Sequence, residues 1–187
     1  MINQKYIIAF IAVILIFAYV KISNPYREYG TEEFWQTANL ASVYEIPEKA
    51  LLPGNKNGPV LMWAAIAADD PQILKALVER GALINESDGV FKGTPLTGAA
   101  GYSKYPEMID ELIRLGADIH KKVHHHENAL MVAARYNNNP GIASALIKHG
   151  ASIDQKNDSG QTARDIAIKA TNKTFLNELE RFSFDIK

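Results

Sequence analysis

A chain of 187 residues with 47% hydrophobic content can bury a sizeable core, and it suits one compact domain or one short array of repeats. Its 20 basic and 21 acidic residues give a formal net charge of -1, which excludes the charge excess typical of nucleic-acid-binding proteins. Cysteine is absent, so disulfides, thiolate nucleophiles and cysteine-ligated metals are excluded as well.

The amino-terminal region contains an uncharged, nearly all apolar stretch over residues 6–20, flanked by Lys5 and Lys21. A helix of this length reaches ~22 Å at ~1.5 Å per residue. It can cross a ~30 Å hydrocarbon layer if the flanking lysines snorkel and the bilayer thins. We therefore expect a hydrophobic amino-terminal helix within residues 1–22, which serves either as a signal anchor or as a signal peptide.

An uncleaved signal anchor is the alternative that we favour for this segment. A signal peptidase needs small residues at the last and third-last positions before the cut, and two candidates fail this test: Ala18 is preceded at that spacing by Ile16, and Ser23 by Lys21. The short charged leader favours a cytoplasmic amino terminus, which places the rest of the chain in the periplasm of a bacterium. Residues 23–30 then form a linker.

Residues 31–54 show a helical pattern that begins at Thr31 and continues to about Ile46, followed by a short segment that starts at Pro47. These residues lack the periodic landmarks of the chain that follows. The end unit of a repeat array needs one apolar face and one solvated face. We therefore predict that residues 31–54 form a degenerate pair of helices that caps the array.

The rest of the chain is periodic. Three glycines lie 35 and then 34 residues apart: Gly81, Gly116 and Gly150. Each glycine comes 22 residues after a second landmark, a helix-start position that we call the threonine slot, which is occupied by Pro59, Thr94 and Asn128. Two independent landmarks with one period indicate a repeated structural unit.

Each recurring position has a physical role in a pair of helices. Threonine before proline, as at Thr94, lets a hydroxyl accept a hydrogen bond from a free amide while proline takes the first helical position. The alanine pair at Ala99 and Ala100 leaves room for a second helix, which a proline twelve residues after the slot begins. The apolar pair at Leu112 and Ile113 supplies the buried stripe of that helix, and the following glycine ends it in the left-handed conformation.

The segment from Thr94 to Ile119 resembles an ankyrin repeat, whose signature is Thr-Pro-Leu-His-x-Ala followed by a leucine pair and Gly-Ala-Asp. A fourth copy starts at Thr162, 34 residues after Asn128, with Arg164 in place of the leucine. The resemblance implies an all-α ankyrin repeat solenoid of stacked helix-turn-helix units with protruding finger loops, preceded by the amino-terminal hydrophobic helix. The four repeats fall at residues 55–88, 89–122, 123–156 and 157–187.

Ankyrin stacks bind proteins mostly through an inner groove formed by the fingers and the first helices, and the resemblance therefore implies a set of contact residues. The groove-facing positions are the fourth and third residues before each threonine slot and the seventh and eighth after it. They are Val90, Phe91, Tyr102, His124, His125, Arg135, Tyr136 and Lys169, with Ile66 and Ala67 in the first repeat. Because tyrosine and arginine dominate binding hot spots, we favour partner contact over the alternative that Tyr102 and Tyr136 merely cover the seam between repeats.

The run His124-His125-His126, with His120 and Glu127 nearby, is a candidate for metal binding. Three adjacent imidazoles on a finger tip cannot all face one ion, and nothing in the sequence supplies partners that would fix them. We interpret the run as a solvated loop and expect neither a metal nor a cofactor. The sequence also offers no nucleophile or acid-base constellation, so we expect no enzymatic activity.

Three hypotheses for function follow. Small envelope ankyrin proteins similar to this one can serve as immunity proteins, and we favour a non-enzymatic protein-binding module, tethered to the bacterial inner membrane and facing the periplasm, that occludes a toxic effector. The alternative is an envelope stress or assembly factor that holds a resident periplasmic enzyme. Both need a protein partner and the membrane, and neither needs nucleic acid. The third hypothesis is an enzyme, which would show an activity that is lost when the histidine run is changed. The sequence does not indicate the oligomeric state.

Overall fold

The computed structural model describes residue 29 and residues 31–53, 59–88 and 92–184, and within these ranges the regular structure is helical. The helices in chain order are α1 Glu32–Thr37, α2 Leu40–Glu45, α3 Glu48–Leu51, α4 Val60–Ala67, α5 Gln72–Glu79, α6 Pro95–Tyr102, α7 Glu107–Arg114, α8 Ala129–Tyr136, α9 Pro140–Lys148, α10 Ala163–Lys169 and α11 Lys173–Phe184. The all-α prediction is confirmed for these residues.

The hydrophobic helix expected within residues 1–22 lies outside the described residues. Among the helices from α1 to α11, none combines the length and the apolar character that crossing a bilayer requires.

From α4 onward the helices form two layers. The first helices of the repeats (α4, α6, α8 and α10) pack side by side as an inner layer, and the second helices (α5, α7, α9 and α11) form an outer layer. Paired alanines line the inner-layer contacts, and none is more than 1% exposed: Ala64, Ala65, Ala99, Ala100, Ala133 and Ala134. Because side chains this small let helix axes approach, the predicted packing role of the alanine pairs is confirmed.

Gly98 marks a close approach between α4 and α6. A Cβ atom at this position would lie 2.8 Å from Met62 Cγ and 3.3 Å from Ile66 Cδ1. Atoms at the first of these distances overlap, so any larger residue requires the Met62 side chain to move.

Side chains cap the inner helices as the threonine slot predicts. Thr94 Oγ1 accepts a hydrogen bond from the Thr97 amide at 3.3 Å, and Asn128 Oδ1 accepts from the Met131 amide at 2.9 Å. Thr162 does the same, and Asp165 reciprocates by accepting from the Thr162 amide. The first repeat differs, because Pro59 occupies the slot and α4 has no side-chain cap.

The glycines at the ends of the outer helices adopt the predicted left-handed conformation. Their φ angles are +101° at Gly81, +97° at Gly116 and +90° at Gly150. In each repeat the amide of the following alanine donates to a carbonyl in the last turn of the helix, as Ala82 does to Leu77 at 3.0 Å. Since a residue with a Cβ is strained at these angles, glycine is the residue that ends the helix without cost.

Each finger turn is closed by one backbone hydrogen bond. Asp88 donates to the Gly93 carbonyl at 2.9 Å, Val123 to Glu127 at 2.9 Å, and Asn157 to Gln161 at 3.0 Å. The first of these turns spans one residue more than the other two. The spacing of 35 rather than 34 residues between the first two repeats therefore arises from a longer first finger.

The amino-terminal cap contains three short helices rather than the predicted pair. The expected continuous helix over residues 31–46 is wrong because it breaks at Ala38 and Asn39. Asn39 Oδ1 accepts from the Ser42 amide at 3.1 Å, and Ser42 Oγ accepts from the Asn39 amide at 3.3 Å. This reciprocal pair is a capping box, which starts α2 as a new helix.

Arg80 ties the cap to the first repeat. Its guanidinium donates to the Ile46 carbonyl at 2.5 Å and also to the Val43 carbonyl, both at the end of α2. It occupies the same position, 21 residues after the slot, as Leu115 and His149 in the next two repeats. His149 also reaches to the preceding unit, where its Nε2 lies 2.8 Å from Asp110 Oδ1.

The fourth repeat ends the described array. Arg164, which replaces the leucine of the earlier repeats, is exposed and pairs with Glu180 at 3.2 Å. Phe175 and Leu179 of α11 are buried against the array, whereas Ile168 of α10 is 56% exposed. The exposed face is therefore mostly polar, as a terminal unit requires, with one apolar exception.

Candidate functional site

Two tyrosines from adjacent repeats stack on the inner layer. Tyr102 ends α6 and Tyr136 ends α8, at the same position in their repeats. Their ring centroids are 5.5 Å apart and the rings are inclined by 23°. Tyr102 is 57% exposed and Tyr136 is 54% exposed. The pair therefore covers the seam between two repeats and still presents more than half of each side chain to solvent.

Tyr102 resists the loss of its phenolic proton. Partial burial raises the pKa of Tyr102 above its ordinary value, and the neighbouring Tyr136 raises this pKa further. The Tyr102 phenolate is disfavoured because it would be poorly solvated and would face a second phenol. Tyr102 can thus offer a flat apolar ring and a neutral hydroxyl group at physiological pH, but not a phenolate nucleophile.

A cleft of about 320 Å³, which we call the larger cleft, lies beside the tyrosines. It is lined by Gly101, Tyr102, Ser103, Lys104, Tyr136, Asn137, Asn138 and Asn139. Its floor is held by Asn137, whose buried amide donates to the Ala100 carbonyl at 3.1 Å and to the Ser103 carbonyl at 2.9 Å. Because these carbonyls are the free acceptors at the end of α6, Asn137 caps that helix from the next repeat.

The same arrangement occurs one repeat later. The buried amide of Asn172 donates to the Ala134 carbonyl at 3.1 Å and to the Asn137 carbonyl at 2.8 Å. The slot pattern did not predict these two asparagines, because they lie nine and ten residues after their slots and so do not share one spacing. The recurrence of asparagine close to this position in two repeats could have indicated their role.

A smaller cleft of about 90 Å³ adjoins the larger one toward the cap. It is lined by Glu32, Gln36, Ile66, Ala67, Asp69, Tyr102, Lys104 and Tyr105. Ile66 and Ala67 are the groove positions predicted for the first repeat, and both are half-buried. Tyr102 and Lys104 belong to both clefts, so the two form one continuous strip, which we call the inner surface.

Arg135 is already bonded within the chain. Its Nη2 donates to Glu127 Oε1, and its guanidinium lies 6.0 Å from the centre of the Tyr136 ring. Glu127 is buried and also accepts from Asn157 Nδ2 at 3.4 Å. The predicted contact residue therefore also joins the third finger to α8 and supports the tyrosine ring from one side.

His124 and His125 lie on an exposed turn at the tip of the third finger. Their rings meet edge to face at 4.1 Å, and His126 Nδ1 lies 2.6 Å from Asp158 Oδ1 of the fourth finger. In the part of the chain that the structure describes, no three side chains of the kinds that bind metals come together. The histidine run links two fingers, and its three residues are exposed.

The other predicted contact residues divide into two groups. Lys169 ends α10 and is exposed on the inner layer. Val90 and Phe91 lie outside the described residues. The structure thus brings Tyr102, Tyr136 and Arg135 together, and it adds Lys104, which the slot positions did not include.

Comparison with known proteins gives one family. A family model described as ankyrin repeats (3 copies) matches residues 61–157 and residues 96–183. These matches run from α4 to α11 and cover more than half of the 187 residues. No curated protein matches the chain significantly.

Proposed function

The chain belongs to the ankyrin repeat family, which generally supplies non-enzymatic modules for protein–protein interaction, and we propose that it binds its partner through the inner surface centred on Tyr102 and Tyr136. The observation that supports this proposal is the stacked pair itself, with more than half of each tyrosine exposed. Exposed tyrosines in a fixed orientation lose little entropy on binding, which is why they are common in hot spots.

The surroundings of the pair favour the same surface. The two rings are held by contact with each other and by Arg135, so their positions are set before a partner arrives. Clefts on both sides offer depressions into which partner side chains can fit. Preorganised aromatic groups next to depressions are the features that concentrate binding energy in an interface.

The test compares tyrosines inside and outside the inner surface. The partner is first identified by affinity capture with the full chain, and its affinity is then measured for Tyr102→Ala, Tyr136→Ala and Tyr44→Ala. Tyr44 is 64% exposed and lies on α2, which packs on the outer layer. We expect the first two substitutions to cost ~1 to 3 kcal/mol of binding free energy each, as hot-spot residues do. Equal affinities for all three variants rule out this surface.

We also propose that an amino-terminal hydrophobic segment tethers the chain to the inner membrane. It is supported by the apolar stretch of residues 6–20 between Lys5 and Lys21, which lies outside the described residues. Residues 23–30 would then connect the array to the inner membrane on the periplasmic side. The experiment is alkaline extraction of membranes that carry the full chain or its Ile14→Lys, Leu15→Lys variant. Retention of the first and release of the second are expected, and extraction of both contradicts the tether.

The biological role that we propose is that of an immunity protein, which protects a cell by covering the active site of a toxic effector. A surface that presents fixed aromatic rings can serve such occlusion. The alternative is a scaffold for a resident envelope enzyme, which would use the same surface without blocking catalysis. The captured partner distinguishes the two: a toxin whose activity falls on binding supports the first role, and an enzyme that stays active supports the second.

A further inference from the structure

The two clefts of the inner surface differ in charge. Among its described lining residues, the larger cleft has one cation, Lys104, and no carboxylate. The smaller cleft has two carboxylates, from Glu32 and Asp69. Since Tyr102 and Lys104 line both clefts, the sign of the charge changes across this pair of side chains.

The absence of acids around the larger cleft extends beyond its lining. Residues 89–106 and 128–153 contain neither aspartate nor glutamate. The carboxylates that the structure describes in the second and third repeats lie on α7 and in the fingers. Lys104 and Lys169 are exposed, and neither has an ion-pair partner within the described ranges. A carboxylate that enters the larger cleft therefore meets the Lys104 ammonium group and no acid among the described lining residues of that cleft.

The carboxyl ends of the neighbouring helices oppose the binding of an anion in the larger cleft only weakly. The carboxyl ends of α6 and α8 lie near the larger cleft, and such ends disfavour anions when their carbonyls are free. Here Asn137 donates to carbonyls at the end of α6, and Asn172 donates to carbonyls at the end of α8. With these acceptors already occupied, the ammonium group of Lys104 sets the charge preference of the cleft.

On the premise of the proposed function, we propose that the larger cleft binds an extended acidic segment of the partner protein. A carboxylate of the segment pairs with Lys104 Nζ, and a neighbouring flat apolar side chain packs on Tyr102 and Tyr136. The volume of the cleft, about 320 Å³, is at the lower end of the ~300 to 1,000 Å³ of ligand pockets, so it accepts side chains of a segment rather than a whole folded element.

The smaller cleft sets the direction of this segment. Glu32 and Asp69 repel a carboxylate that enters on the cap side of Tyr102. A segment with acids along only part of its length therefore places them on the Tyr136 side. Its neutral or basic part then lies toward the cap.

The experiment measures binding of labelled short peptides to the full chain by fluorescence anisotropy. Three peptides alternate tyrosine with glutamate, glutamine or lysine, so that they differ in charge and share their aromatic content. We expect the glutamate peptide to bind roughly fivefold more tightly than the glutamine peptide, because an exposed ion pair contributes up to about 1 kcal/mol. The lysine peptide should bind most weakly. Equal affinities, tighter binding of the lysine peptide or no binding of any peptide overturns the inference.

A charge reversal gives the matched control. Lys104→Glu should abolish the preference for the glutamate peptide, whereas Lys75→Glu should leave it unchanged, because Lys75 lies on the outer helix α5 and faces Glu79. The same two variants are then measured with the captured partner. If Tyr102→Ala weakens that complex and Lys104→Glu does not, binding through the inner surface is supported and the acidic segment is ruled out. If neither variant weakens the complex, the proposed function is ruled out as well.

Discussion

The junction between the cap and the first repeat is closed in a different way from the junctions between repeats. At the cap, one guanidinium group, that of Arg80, donates to two carbonyls at the end of α2, and Trp35 of α1 is fully buried. Between later repeats, the buried amides of Asn137 and Asn172 each cap the preceding inner helix, and paired alanines fill the contact. Junctions between similar repeats can therefore use the same contact each time, whereas the junction with the dissimilar cap requires a different contact.

The two kinds of junction should respond differently to substitution. No second contact replaces Arg80 at the cap, so its loss should let the cap unfold while the array stays folded. The asparagine contact occurs at more than one junction, and the stability of a repeat array is a sum of nearest-neighbour terms, so the loss of one such contact should weaken only one junction.

The largest effect is expected for Arg80→Ala. The substitution removes the charged donor that the Val43 and Ile46 carbonyls share, and hydrogen bonds that involve a charged group contribute ~1.5 to 3 kcal/mol each. We expect the cap to lose about 3 kcal/mol and to unfold first in urea. The fluorescence of Trp35 reports this step in a Trp63→Phe background, since the chain has two tryptophans. Lys75→Ala, on the exposed side of the same helix, should change the midpoint little. Identical curves for the two variants contradict the proposed role of Arg80.

A smaller effect is expected for Asn137→Ala. It leaves the Ala100 and Ser103 carbonyls without a donor in a buried place, which costs about 2 kcal/mol. Asn138→Ala is the matched control, since this neighbouring side chain is exposed. The free energy of unfolding from helical circular dichroism should fall for the first variant and stay constant for the second. Equal losses show that the asparagine amide is not what closes the junction.

Gly98→Ala tests the inner-layer contact. The new Cβ overlaps Met62 Cγ, and overpacking costs ~1 to 3 kcal/mol, of which the better helix propensity of alanine returns ~1. We expect a net loss of about 1 kcal/mol in thermal or urea unfolding. Gly101→Ala, whose Cβ would meet Val132 Cγ1 at 3.1 Å, should cost less. A stabilised Gly98→Ala chain means that the Met62 side chain moves aside easily and that the contact does not require glycine.

The smallest effect concerns the pH dependence of the tyrosine pair. Because the pKa of Tyr102 is raised in the folded chain, its contribution to stability is complete below the ordinary tyrosine value, about 10, and is lost as pH rises through the folded pKa. Tyr136→Phe should lower this pKa only in part, since burial is the larger cause. Because the chain has eight tyrosines, the titration of Tyr102 is followed as the difference in ultraviolet phenolate absorbance between each chain and its Tyr102→Phe counterpart. A complete return to the ordinary value shows that Tyr136 is the main cause instead.

The sequence predicted the repeated part of this molecule well and its ends less well. The caps at Thr94 and Asn128 and the left-handed Gly81, Gly116 and Gly150 are confirmed, because each recurs at one spacing and has a local cause. The break at Asn39 and the clamp by Arg80 were missed. A contact that occurs once, between residues 34 positions apart, leaves no period in the sequence.

The candidate surface was predictable to a similar degree. The slot positions located Tyr102 and Tyr136, because the pattern of a repeat fixes which residues end the inner helices. They could not show that the rings stack or that Arg135 is already paired with Glu127, since these depend on the distance between adjacent repeats. Lys104 was missed because it follows the end of α6, where no slot is defined. Contact by Val90 and Phe91 stays a prediction.

The amides of Asn137 and Asn172 also have a consequence for the order in which the molecule is made. Each completes a helix that was synthesised more than thirty residues earlier, since Asn137 caps α6 and Asn172 caps α8. While the polypeptide emerges from the ribosome, the most recent inner helix therefore has unsatisfied carbonyls until the next unit appears. Folding should trail translation by one unit, and a stalled chain should expose its newest helix to proteases and chaperones.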